Sequence, residues 1–356
     1  MATEAGHRTR LDPGVFRLPV DKIAEGWYTD AYFNFTRQLL LEGGRHPHVT
    51  MQVFQKQVSV LGGIDEAIAV LKLCSGDWDA LEVHALHEGD DISPGETVMT
   101  IEGDYAHFAH LETVYLGSLA RRTLIMRNVR EVVEAAAGKA ILFFPARHDH
   151  WMVQTGDGWA AHVAGAIGVS TDAQASWWGG VGIGTVPHGL IAAFGGDTVA
   201  AAKAFVDRFG DEMNVTVLVD FENDSVRTAL EVADALGDDL WGVRLDTSER
   251  LVDRSLWQEM GDFKPTGVNP VLVERLRAAL DGAGHEHVRI VASGGFEAAK
   301  IRHFEELGAP VDAYGVGSSL VRGENDFTAD VVMLDGRPCA KAGRRLNPNP
   351  RLERVI

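Results

Sequence analysis

Seven short apolar runs from residue 140 onward end in polar or charged residues, and those ends are where chemistry could be done. The last two close on Ser293-Gly294-Gly295 and Gly315-Val316-Gly317-Ser318-Ser319. Glycines let a backbone come close to an anion, and successive N–H groups ahead of a helix form a phosphate cradle. The alternative is that they make only tight turns, but two such turns on consecutive runs favour phosphate. Gly180-x-Gly182-x-Gly184 looks like a dinucleotide loop, yet it lacks a third glycine at the required spacing and opens no clear helix, so it is set aside.

The acids and bases come next. Asp220, near the end of one run, and Glu222, just past it, alternate, which in a strand puts them on one face, and Asp246 ends the following run. Three clustered carboxylates would hold a cation or stabilise developing positive charge, and Mg²⁺ prefers such oxygens when substrate phosphates share the coordination. Arg244 could instead neutralise one of them in an ion pair. Arg147 follows an apolar run, and its planar fork suits a carboxylate or a phosphate. A pair with Asp149 or Asp172 is the structural alternative. His188, after Thr185-Val186-Pro187, could be a general base, a metal ligand, a nucleophile or a packed loop residue. His148-Asp149-His150 lacks the further ligands a metal site needs.

Those residues require elements that deliver them to one place. The runs are AILFFPA (140–146), AIGVS (166–170), VGIGTVP (181–187), VTVLVDF (215–221), WGVRLD (241–246), VRIVASGG (288–295) and DAYGVGSS (312–319). Helical patterns lie between them at 197–209, 224–236 and 269–284. Apolar strands alternating with helices mean a parallel sheet covered by helices, and seven strands fit an α/β barrel, whose function collects at the C-terminal strand ends. The barrel is expected over 139–335, with 336–356 as a C-terminal extension. Residues 1–138 read as an N-terminal α/β domain. It has a helix at 64–74, a β subdomain at 84–106 broken by Gly89-Asp90-Asp91 and Ser93-Pro94-Gly95, and a long helical stretch from 110 to Gly138.

Composition narrows the classes. Lys and Arg number 33 against 51 Asp and Glu, a net charge of −18 and a pI near 5.2. So acidic a surface argues against general nucleic-acid or anionic-membrane binding and requires any phosphate site to be local. No apolar run approaches a membrane span, and the first residues show no signal-peptide pattern, so a cytoplasmic protein is expected. Cys74 and Cys339 alone support neither a disulfide framework nor a Cys-based structural zinc site.

Several of these motifs, in one order from about residue 27 to 340, resemble the nicotinate and quinolinate phosphoribosyltransferases, the type II phosphoribosyltransferase fold. They are Tyr28-Thr29-Asp30-Ala31-Tyr32, IEGDYA, HLETVYLGSLARRT, FFPAR, GTVPH, LVDFEND, GVRLDTS, ASGGF and AYGVGSS. The resemblance implies an irregular seven-stranded α/β barrel and an N-terminal α/β domain with a small β-sandwich-like element. It also implies a homodimer in which Tyr32, with Thr29 and Asp30, reaches the neighbouring subunit's pyridine site. The substrates would be nicotinate and phosphoribosyl pyrophosphate, joined on the route to NAD with Mg²⁺ present.

On the same resemblance Arg147 would bind the pyridine carboxylate, with Thr185 nearby. Ser293, Gly294, Gly295, Gly315, Gly317 and Ser318 would hold the ribose 5-phosphate. Asp220, Glu222, Arg244 and Asp246 would serve the ribose and Mg-pyrophosphate, and Arg121 or Arg122 the pyrophosphate. His188 matches a histidine phosphorylated by ATP in nicotinate-using members. Three positions depart from the family pattern: Pro187, Ser170-Thr171-Asp172 without the usual asparagine, and Asp246-Thr247-Ser248-Glu249 in place of Asp-Ser-Gly-Asp. Two other readings remain. One is a decarboxylating quinolinate phosphoribosyltransferase, disfavoured by the apolar first barrel strand with only Arg147 beside it. The other is a non-catalytic barrel that senses a nucleotide.

Overall fold

The computed structural model describes residues 7–261 and 263–356. Its strands are β1 (His48–Phe54), β2 (Ser59–Val60), β3 (Glu82–Ala85), β4 (Asp91–Ile92), β5 (Thr97–Asp104), β6 (Ala140–Phe143), β7 (Gly168–Val169), β8 (Val215–Leu218), β9 (Leu240–Leu245), β10 (Arg289–Ala292), β11 (Ala313–Val316), β12 (Thr328–Leu334), β13 (Arg337–Pro338) and β14 (Glu353–Arg354). The chain forms two compact units. One comprises the chain up to Arg127 with 159–164 and 323–356; the other comprises 128–158 and 165–322.

The first unit is built on an antiparallel sheet in the order β13-β12-β1-β5-β3-β14, with β2 and β4 as a separate ribbon. The β-rich stretch 84–106 supplies β4, β5 and half of β3, but the partner of β5 on its other side is β1, far upstream. β12, assigned from sequence to the barrel segment, instead pairs antiparallel with β1 along its length. The strand's core-facing Val332 is buried, and a paired strand satisfies its backbone, which a barrel position could not do better. Helices α1 (Val20–Ala24), α2 (Ala31–Glu42) and α3 (Ile64–Cys74) belong to this unit. α3 is buried nearly all round, through Ile64, Ala67, Ile68, Val70 and Leu71, and packs in one core with Val53, Met99, Ile101, Phe108 and Tyr115. The long helix α4 (Glu112–Ala135) ends before Gly138, because Ala137 and Gly138 both turn to positive φ, 49° and 95°.

The second unit holds the parallel sheet, in the order β7-β6-β11-β10-β9-β8. Six strands form, not seven. The run 181–187 makes no strand; it contributes a single bridge, Val186 to Val217. Even so it closes the ring, since Ile183 N–H donates to Val169 O (2.7 Å) on one side and Val186 N–H donates to Thr216 O (2.8 Å) on the other. Gly180, Gly182 and Gly184 explain the irregularity, since a glycine-rich segment packs few side chains and loses the most entropy on extension.

Helices α5 (Gln154–Ala164), α6 (Asp172–Ala175), α7 (His188–Ala193), α8 (Thr198–Phe209), α9 (Ser225–Leu236), α10 (Pro270–Gly282) and α11 (Ala298–Glu306) complete the list. Asp197 caps α8 by accepting from Ala200 N–H, and Asn269 caps α10 by accepting from Leu272 N–H with Pro270 at the first helical position. α9 buries Thr228, Ala229, Val232, Ala233 and Leu236 and packs against α8 and α10. Each large side chain on that stripe contributes about 1.5–3 kcal/mol by leaving water. No helix among the described residues is long and apolar enough to cross a membrane.

Candidate active site

Strands of the second unit stop one to three residues earlier than the apolar runs suggest, so most of the polar residues sit on loops rather than on strands. Loops after β6, β9, β10 and β11 converge on one cleft. Its walls include Phe144, Arg147 and His148 from the first loop and Arg244 and Asp246 from β9 and its loop. Its floor is Ser293, Gly294, Gly295, Gly315, Gly317 and Ser318.

That floor is shaped for an anion. Gly294 and Gly295 are both left-handed, at φ 88° and 65°. The amides of Gly294, Gly295, Gly317 and Ser318 donate to no acceptor among the described residues. Gly294, Gly317 and Ser318 are half-buried and Gly295 is exposed, so the four N–H groups face the open cleft, where an anion can take them in place of water. Gly315 is required by space: a Cβ there would lie 2.9 Å from the Phe144 ring and 3.2 Å from Ser293 Cβ.

The charges on the wall differ in how committed they are. Arg244 is mostly buried, its Nε donating to Ser293 Oγ (2.8 Å) and its NH2 to Asp246 Oδ2 (3.4 Å), with the guanidinium 5.1 Å from the Phe144 ring. Burial pulls its pKa below the usual arginine range, against the pull of Asp246 and Asp220. Ser293 Oγ also lies 2.9 Å from Asp246 Oδ1. Arg147, in contrast, is exposed on the turn 146–148 and forms no ion pair among the described residues, so neither Asp149 nor Asp172 claims it. Asp172 accepts instead from Gly182 N–H (2.9 Å). His148 has its pKa lowered by burial and by Arg147 and Arg322, which keeps it neutral.

His188 opens α7, and its Nε2 meets Asp220 Oδ1 at 2.9 Å. A carboxylate oxygen accepts, so Nε2 donates this hydrogen bond, and in the neutral imidazole Nδ1 keeps its lone pair. The hydrogen bond to Asp220 raises the histidine's pKa, burial opposing, and Asp246 adds to the rise. The Asp220 side chain is only 7% exposed, so its charge acts at low dielectric. Thr185 is half-buried on the irregular closing segment.

Glu222 does not join this group. β8 ends at Leu218 and the chain turns at once, with Asn223 at φ 57° and its N–H donating to Asp220 O. The two acids therefore lose the common face that an extended strand would have provided. Glu222 is exposed and pairs with Arg227, which also holds Asp224 and Glu231. Among the described residues no three His, Cys, Asp or Glu side chains are placed to bind one metal ion, and Glu222 stands apart from Asp220 and Asp246. Asp220 and Asp246 remain, and that pair suits an ion such as Mg²⁺, which needs one or two carboxylates beside substrate phosphates.

Tyr32, Arg121 and Arg122 lie in the first unit. Tyr32 is 60% exposed on α2, whose start is fixed by Asp30 and Thr113 (2.9 Å) and by Thr29 on the His110 carbonyl. Arg121 and Arg122 are on α4; Arg122 is buried and its Nε is 3.0 Å from Glu66 Oε2. Sequence reasoning missed Lys300, whose Nζ donates to Gly294 O at 3.0 Å, and Glu249, which abuts Gly295. A signal for Lys300 existed: a cation in the first turn of a helix opposes the macrodipole and calls for a local reason. Both residues border a second cavity of about 590 Å³, with Val268, Asn269 and His303, that contains none of the groups described above.

Residues 30–123 match the family described as the N-terminal domain of quinolinate phosphoribosyl transferase. The nicotinate phosphoribosyltransferase pncB1 of Mycobacterium tuberculosis is 28% identical over 91% of this chain and 76% of its own length. The crystal structure of nicotinate-nucleotide pyrophosphorylase from Pyrococcus furiosus is 32% identical with a TM-score of 0.80, covering 95% of this chain and 85% of that one. Human nicotinic acid phosphoribosyltransferase shares the fold at a TM-score of 0.69 and 17% identity, over 89% of this chain and 77% of that one.

Proposed function

Because the chain belongs to the nicotinate and quinolinate phosphoribosyltransferase family, we propose that it joins nicotinate to phosphoribosyl pyrophosphate, giving nicotinate mononucleotide and pyrophosphate for NAD synthesis. The observation that carries this reading is the single cleft in which four acceptorless amides lie beside one unpaired guanidinium, Arg147. The amides suit the ribose 5-phosphate. Arg147 suits one carboxylate, since Arg244 is already committed to Asp246 and His148 is neutral. Among the residues lining the cleft Arg147 is the one cation with no ion pair, which matches a pyridine mono-acid better than quinolinate with its two carboxylates; Arg322, which donates to Ser318 Oγ (3.1 Å), serves the phosphate floor.

Bond making needs the pyridine nitrogen to displace pyrophosphate at the anomeric carbon through an oxocarbenium-like state. Asp220 and Asp246 place negative charge where positive charge develops, and Arg244 holds Asp246 in position. Mg²⁺, bound through these two carboxylates and the pyrophosphate oxygens, would neutralise the departing charge. Positioning two anionic substrates is the main task of the loops. ATP coupling belongs to the same proposal: Asp220 orients His188 so that Nδ1 is the free nucleophile, the arrangement a phosphohistidine requires.

A second copy of the chain is the proposed partner. Tyr32, Phe35 and Leu39 are 60%, 67% and 66% exposed and fall on one stripe of α2, an apolar face that a homodimer would cover.

The test is pyrophosphate release with nicotinate, quinolinate or nicotinamide, each with and without ATP. Release with nicotinate, raised by ATP in the wild type but not in His188→Ala, is the expected result. Release only with quinolinate, accompanied by CO₂, would move the enzyme to the sister activity, and no release with any of the three would overturn the reading.

A further inference from the structure

We propose that Lys300 is a positioning residue for the phosphate cradle: it fixes the peptide between Gly294 and Gly295 so that the Gly295 N–H is presented to the anion. The inference rests on the phosphoribosyl-site reading above and deepens it.

The argument begins with the peptide itself. In a planar trans peptide the carbonyl and the following N–H point in opposite directions, so whatever holds one aims the other. Lys300 Nζ donates to the Gly294 carbonyl at 3.0 Å. The Gly295 amide is thereby directed away from Lys300, and it has no acceptor of its own. Lys300 borders the second cavity and is not part of the cleft wall, so it acts through the peptide and not by touching the ligand.

That peptide needs holding. Glycine populates positive and negative φ about equally, so a Gly-Gly peptide rotates between orientations at little cost. Among the described residues Lys300 is the donor that takes the Gly294 carbonyl. The lysine is itself held, with Nζ 4.4 Å from the centre of the Phe296 ring, a neighbour within the same loop.

Placing a cation there also works against two local preferences, which argues that it serves a purpose. The first turn of α11 favours negative charge, and desolvation lowers the lysine's pKa while Glu249 and Glu297 support the charged form. Glu249 lies so close that a Cβ on Gly295 would come within 2.1 Å of its Oε1. An uncompensated carboxylate at that distance would repel a phosphate; the ammonium of Lys300 offsets it.

Ribose 5-phosphate is the probe, titrated by calorimetry into wild type, Lys300→Met and Lys300→Arg, with steady-state kinetics in parallel. Lys300→Met should weaken ribose 5-phosphate about tenfold and raise KM for phosphoribosyl pyrophosphate by a similar factor. KM for nicotinate should stay unchanged, and Lys300→Arg, which keeps charge and donor, should recover most of the loss. If Lys300→Met fails to fold, Lys300→Gln, too short to reach the carbonyl, replaces it with the same expected loss. Wild-type affinity in the neutral variant, or equal loss for both substrates, would overturn the positioning role. Failure of the wild type itself to bind ribose 5-phosphate would instead remove the phosphoribosyl reading, and the inference with it.

Discussion

Arg147→Ala separates the proposed pyridine site from the phosphate floor. Arg147 is exposed, lies in a three-residue turn and has no ion-pair partner among the described residues, so truncation orphans no carboxylate. Stability should therefore change by no more than about 0.5 kcal/mol, as for surface positions generally. Binding is another matter. A charge-assisted hydrogen bond contributes about 1.5–3 kcal/mol, and the solvent access of Arg147 places it at the lower end, so nicotinate affinity should fall about tenfold. The assay is kcat/KM for nicotinate at saturating phosphoribosyl pyrophosphate, then the reverse, with thermal unfolding alongside. Nicotinate should lose about tenfold, phosphoribosyl pyrophosphate little, and the preference for nicotinate over nicotinamide should narrow. Equal losses for both substrates, or a large fall in Tm, would refute the assignment. Arg244→Ala is the contrasting control, since it strands Asp246 beside a half-empty pocket and should destabilise the fold.

Further predictions concern charge and packing. Asp220→Asn should lower the His188 pKa, read by NMR titration of the imidazole, because the Asp220 hydrogen bond is the largest cause of its rise. The sign follows: with the folded pKa raised, the pair's stabilisation is complete below about pH 6.5 and is lost as pH rises through the folded value; an unshifted titration in the variant would contradict this. Glu112 is pushed up to about 7 by burial and by Asp330 and Asp30, so it holds its proton more tightly when folded. Wild type should lose on the order of 2 kcal/mol between pH 5 and 8 from this group, and Glu112→Gln should abolish that slope in urea unfolding; an identical slope in both proteins would remove Glu112 as its source. Gly315→Ala should cost about 1–3 kcal/mol, since its Cβ meets the Phe144 ring at 2.9 Å; unchanged unfolding would show that the ring yields freely.

Sequence pattern carried the architecture where a single local rule decided it. The helices at 197–209, 224–236 and 269–284 emerge almost at the expected residues because Asp197 and Asn269 cap two of them and their apolar faces repeat correctly. Gly294 and Gly295 after β10, and Gly315 and Gly317 within and just after β11, are read directly from the residue letters. What failed was anything set by a turn. Asp220 and Glu222 read as neighbours on one face only if the strand continues, and the left-handed Asn223 ends that premise. The run 181–187 has strand-like residues at Val181, Ile183 and Val186, yet the interleaved Gly182 and Gly184 leave it a bridge. β12 pairs with a strand more than 270 residues away in sequence, which no local window reports. Lys300 was invisible as a partner because its acceptor is a backbone carbonyl, which every residue possesses.

The closing segment of the barrel has a consequence for motion. Six parallel strands are laddered to one another, whereas among the described residues the seventh place is held by three backbone bonds to its neighbours, from Ile183 to Val169, from Val186 to Thr216 and from Leu218 back to Val186. Local opening costs least where the fewest buried contacts and backbone bonds must be broken, so this seam is the part of the ring that unlatches first. Amide exchange at Ile183 and Val186 should outrun that of the central strands, and refolding should set this seam last. His188 lies two residues beyond it, so the catalytic histidine candidate rides on the one hinge-like stave of an otherwise rigid cask.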